Sequence, residues 1–99
     1  MNNQESILAE LEIKMDAIIL KYEVAFKQSQ NKPEEFLNEF SEAIRGELAR
    51  VAIDTIHDSI LIGLSSDENF IQSIENLNVG SFNKLMVNLK KIEEENLER

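Results

Sequence analysis

Apolar residues recur every three or four positions along most of this chain, a period that reads as α-helix. Leu8, Leu11, Met15, Ile18, Tyr22 and Ala25 alternate steps of three and four, forming a heptad seam. Ile7, Ile19 and Phe26 widen the seam, while Ile13, Ala17, Leu20 and Val24 make a second stripe on another face. A helix with two apolar faces is not satisfied by one neighbouring helix. The first segment is therefore expected at the centre of a bundle or across a dimer interface.

Pro33 ends that helix and starts the next. Proline lacks the amide hydrogen that a first helical turn leaves unbonded, so Pro33 suits the first position of a second helix. Glu34 and Glu35 follow where the helix dipole favours negative charge. The connection around Gln30-Asn31-Lys32 is short, which predicts an antiparallel hairpin. Phe36, Leu37, Phe40, Ile44, Leu48 and Val51 carry the second core stripe, and apolar residues continue through Ala52, Ile53, Ile56, Ile60, Leu61 and Ile62 to Leu64. Gly46 costs about 1 kcal/mol relative to alanine inside a helix, which leaves a kink or break there open.

Ser65-Ser66-Asp67-Glu68 has the spacing of a capping box, with Ser66 as a competing cap. It predicts a short third helix that buries Phe70, Ile71, Ile74 and Leu77 and ends at Asn78-Val79-Gly80, where Gly80 suits the left-handed residue after a last turn. Ser81 then caps a fourth helix with a core face of Phe82, Leu85, Met86, Leu89 and Ile92. The expected fold class is all-α: one helical domain over residues 1–99, an antiparallel bundle of about four helices, with a long hairpin followed by a short and a medium helix. The acidic tail Glu93 to Glu98 lies at the negative end of the last dipole, and that end is expected to fray.

Composition narrows the picture. At 42% hydrophobic residues the chain is apolar enough to fold, and one proline among 99 residues leaves few interruptions for long helices. The absence of cysteine excludes disulfides and thiolate metal sites. The first residues, Met1-Asn2-Asn3-Gln4-Glu5, do not resemble a secretory signal. Arg50, Asp54, His57 and Asp58 interrupt the greasiest stretch, so no membrane span is expected and a cytoplasmic location is the simplest reading.

The net charge of −9 is unevenly placed. Residues 33–83 hold ten acids against Arg45 and Arg50, with no lysine, while the two flanking segments are nearly balanced. Direct nucleic-acid binding, which begins with a basic surface, is disfavoured. An acidic surface instead speeds encounter with basic proteins, or serves only solubility.

Candidate chemistry is sparse. Asp54 and His57, three apart, share a helix face and have metal-ligand spacing, but bundle metal sites need further carboxylates and a second histidine, and the chain has one. No metal, cofactor or catalytic residue is expected. Ser41 and Ser59 lack the Gly-flanked turn of a nucleophile elbow, and Gly46, Gly63 and Gly80 form no phosphate loop. The candidate partner-binding residues are Glu34, Glu35, Glu39 and Glu42, since like charges at this spacing cost a helix some stability and are suited to Lys or Arg on a partner. Their plain alternative is a solvated face.

The functional expectation is a non-enzymatic protein-binding regulator or adaptor of inhibitor, immunity or chaperone-like kind, occluding a basic surface of a partner protein. The alternatives are a self-assembling structural subunit, with the chain as a homodimer, and a nucleic-acid-mimicking inhibitor whose carboxylates imitate phosphates.

Overall fold

The computed structural model describes residues 3–61 and 68–97. Helix α1 spans Asn3–Ser29, α2 spans Pro33–Leu61 and α3 spans Glu68–Leu97. All three pack against one another, and no strand occurs among the described residues. Met15 and Asp16 of α1 meet Ser81 and Lys84 of α3, while Tyr22 meets Glu47 and Phe26 meets Phe36 of α2. Helix α1 therefore runs antiparallel to α2 and parallel to α3. At 1.5 Å per residue each helix is roughly 40–45 Å long, which accounts for most of the 51 Å long axis of the bundle.

The hairpin between α1 and α2 forms where the sequence places it. Gln30 adopts a left-handed conformation (φ 61°) that reverses the chain after the last turn of α1. Ser29 steadies this turn: its hydroxyl donates to the Phe26 carbonyl at 2.8 Å and accepts the Asn31 amide at 3.2 Å. The Lys32 carbonyl then accepts the Phe36 amide at 2.9 Å, so Lys32 precedes the helix and Pro33 is its first residue.

Leu11, Met15, Ile19, Tyr22 and Phe26 of α1, Phe36, Ile44, Leu48 and Ala52 of α2, and Phe70, Ile74, Leu85 and Leu89 of α3 form the core. At the hairpin end it is aromatic: the Phe26 ring meets Phe36 edge-on at 5.3 Å between centroids, and Phe36 lies 4.7 Å from Phe40.

Two expectations need correction. The four-helix count gives way to three helices among the described residues, because α3 is continuous from Glu68 to Leu97 and Gly80 ends nothing. The reason is the seam. Phe70, Ile74, Leu77, Ser81, Leu85 and Leu89 continue one face at steps of three and four, with Ser81 buried in line and its hydroxyl 3.5 Å from the Met15 sulfur. A break at Gly80 would save about 1 kcal/mol of helix penalty but move one half of the seam off the core, where each buried large aliphatic side chain is worth about 1.5–3 kcal/mol. Packing wins. Helix α2 passes through Gly46 for the same reason, with Ile44 and Leu48 fully buried on either side.

The second correction concerns α1. Of its two expected placements, the centre of the bundle does not hold: one wide face serves both neighbours, and the stripe of Ile13, Ala17, Leu20 and Val24 points away from the core into solvent. The expected cap residues Ser65 and Ser66, and residues 62–64 of the apolar run, lie outside the described residues.

Candidate functional site

Glu34, Glu35, Glu39 and Glu42 come from the first three turns of α2 and are all exposed. The register explains why. Phe36, Ile44 and Leu48 fix the inward face of α2, and Glu35, Glu39 and Glu42, at steps of four and three, fall on the opposite side. None of the four has an ion pair or side-chain hydrogen bond among the described residues. Four carboxylates thus sit on one rigid helix with no cation drawn onto them.

Three cations of the bundle, Arg45, Lys21 and Lys84, are committed elsewhere. The Arg45 guanidinium lies 4.7 Å from the centre of the Phe82 ring, turned to the groove between α2 and α3. Lys21 and Tyr22 of α1 both donate to the Glu47 carboxylate, one to each oxygen. These two bonds, the lysine's first, hold the Glu47 carboxyl below its ordinary value, against the opposing effect of burial. In return the buried Tyr22 phenol is pushed up to about 12, by burial first and then by its bond to Glu47 and the nearby negative charge. Lys84 of α3 pairs with Asp16 of α1 at 3.1 Å. Glu47 and Asp16 are thereby removed from the free acidic surface, to which Glu34, Glu35, Glu39 and Glu42 still belong.

The Lys21–Tyr22–Glu47 cluster, absent from the expectations above, has a signal in the sequence. Phe40, Ile44, Glu47 and Val51 follow one seam at steps of four, three and four, so Glu47 is the charge on an otherwise apolar line. A carboxylate there needs donors from a facing helix. Ser81 is the same kind of signal on α3.

Asp54 and His57 are both exposed on the second half of α2. No group of three or more potential metal ligands occurs among the described residues. The groove between α1 and α2 that contains Glu10, Lys14 and Asp58 has all three side chains exposed, and the Thr55 hydroxyl beside it donates to the Val51 carbonyl at 2.9 Å. No helix among the described residues is long and apolar enough to cross a membrane.

The other unusual surface is apolar. Ile13 is 69% exposed, Leu20 59% and Val24 46%, and exposed Ala17 lies in line with them. Ile53 of α2 and Val79 and Val87 of α3 are also exposed, but single aliphatics among polar neighbours are normal at a protein surface. The α1 stripe differs in being contiguous and in heptad register. Compared with known proteins, the chain matches no family model, no curated protein and no solved structure.

Proposed function

We propose that this chain is a non-enzymatic protein-binding regulator or adaptor, acting in the cytoplasm. It docks the acidic face at the start of α2 onto a basic surface of a partner protein and blocks access to that surface. The observation that carries this reading is the run of Glu35, Glu39 and Glu42 along one exposed face of α2, with Glu34 on its flank, none of the four holding an ion pair among the described residues. Carboxylates without internal partners keep their full field for an incoming cation and accelerate encounter. The helix beneath them is anchored by Phe36, Ile44 and Leu48, so little order is lost on docking.

The test is capture from native lysate at low salt by wild-type protein, by Glu35→Lys/Glu39→Lys/Glu42→Lys, and by the charge-matched control Glu93→Lys/Glu94→Lys/Glu95→Lys. Retention of a defined protein by wild type and the control, but not by the α2 variant, supports the reading. Equal loss in both variants shows a response to net charge alone and ends it.

A second reading, favoured by the exposed stripe on α1, is a structural subunit that assembles with copies of itself as a homodimer. The two readings are compatible, because the stripe and the acidic face belong to different helices.

A further inference from the structure

We propose that the outer stripe of α1 is a self-recognition surface on which α1 of a second copy packs antiparallel. Ile13 then faces the partner copy's Val24, and Ala17 faces the partner copy's Leu20. This rests on the self-association reading and supplies its surface and register.

The stripe lies on the face of α1 opposite Leu11, Met15, Tyr22 and Phe26, so α2 and α3 do not stand in the way of an approaching helix. Its line continues in both directions at heptad steps: Glu10, Ile13, Ala17, Leu20, Val24, Lys27. An acid closes one end and a base the other, and Glu10 and Lys27 are both exposed, without an ion pair among the described residues. Reversing the second helix places Glu10 beside the partner copy's Lys27, and the two-fold axis repeats the pair at the other end. The same operation sets a small residue, Ala17, against a large one, Leu20, twice. A parallel pair would stack Glu10 on Glu10 and Lys27 on Lys27 along the seam. The stripe complements itself in one direction only.

The flanks oppose this weakly. Lys14 and Lys21 line the side towards α2, and Asp16 and Glu23 the side towards α3, and an antiparallel pair brings like flanks together. However, Lys21 already holds Glu47 and Asp16 already holds Lys84, so each flank contains both signs. Flank charges also stay in water, where screening makes them weigh less than charges on the seam itself. From Glu10 to Lys27 the contact spans roughly 25 Å of helix, small beside the ~1,200 Å² at which stable interfaces begin. The dimer should therefore be reversible and concentration-dependent.

Sedimentation velocity from about 5 to about 500 µM tests this. The expected result is a weight-average mass that rises from the 11.4 kDa monomer towards twice that value. Leu20→Glu, an exposed change that should leave helix content intact, holds the chain monomeric at the highest concentration. Glu10→Lys and Lys27→Glu should each weaken the dimer about tenfold, and the two together should restore it. A monomer throughout the range overturns self-association altogether. A dimer indifferent to Leu20→Glu leaves self-association standing and overturns α1 as its surface. A double charge swap no better than the single changes overturns the antiparallel register.

Discussion

Replacing Gly80 with alanine should stabilise this protein, and the sign of the effect decides how α3 is built. Gly80 lies inside the helix with an unstrained backbone, it is exposed, and a β-carbon built on it meets nothing within 4 Å. No clash offsets the gain, and no extra burial adds to it. What remains is the helix propensity difference between glycine and alanine, about 1 kcal/mol in favour of alanine. For a domain of this size that corresponds to a rise in Tm of about 4–8 °C. Had Gly80 been the left-handed residue closing a short helix, alanine would instead cost about 1–2 kcal/mol. Urea denaturation followed by circular dichroism separates the two, because the midpoint should rise while the slope stays constant. Gly46→Ala is the internal control: its β-carbon also meets nothing within 4 Å. With no shared neighbour the two changes should add, to about 2 kcal/mol. A midpoint that falls for Gly80→Ala would refute the continuous helix.

Further outcomes follow from local geometry at Gln30, Tyr22 and Glu47. Gln30→Gly should stabilise by about 1 kcal/mol, since Gln30 carries the left-handed φ of 61° that glycine adopts freely, and thermal melts beside Gln30→Ala, expected to be neutral or worse, check it. Tyr22 is the chain's one tyrosine, so phenolate absorbance reports it directly, and its midpoint should lie near 12 rather than 10. Because the folded value is raised, Tyr22 contributes stability below pH 10 that is lost as pH climbs towards 12, and Tyr22→Phe should abolish that part of the alkaline loss. At neutral pH the same substitution should cost about 1 kcal/mol, the low end for a bond to a carboxylate that is partly in water. Glu47 has the opposite sense: its carboxyl is lowered, so its contribution is present above the ordinary carboxylate value and lost as pH falls through the lowered one.

The hairpin was legible in the sequence because two independent signals agree there. The α1 and α2 stripes change register across residues 30–32, and Pro33 can only begin a helix at that point. The core of each helix was legible for the same reason that periodicity works at all: Phe36, Ile44 and Leu48, or Phe70, Ile74, Leu85 and Leu89, recur on one side. The continuity of α3 was not. Asn78-Val79-Gly80-Ser81 has the chemistry of a helix stop followed by a cap, and local propensity gives no weight to Leu85 and Leu89 lying in phase with Phe70 and Ile74. Ser81 hid that phase, being a polar residue at a core position. The acidic residues of α2 were legible as a face, since Glu35, Glu39 and Glu42 oppose Ile44 and Leu48 in any helical register. Their lack of internal partners was not, because only the bundle shows that Lys21, Lys84 and Arg45 turn to Glu47, Asp16 and the Phe82 ring. Exposure of the second α1 stripe was equally hidden: it depends on α2 and α3 sharing a single face of α1.

Backbone NMR across residues 76–84 tests the three-helix bundle most directly. A single seam that carries Ser81 into the core requires helical Cα chemical shifts without interruption, and amides at Gly80 and Ser81 protected as well as those a turn away on the same face. A left-handed shift at Gly80, with rapid amide exchange from Val79 to Phe82, would contradict it.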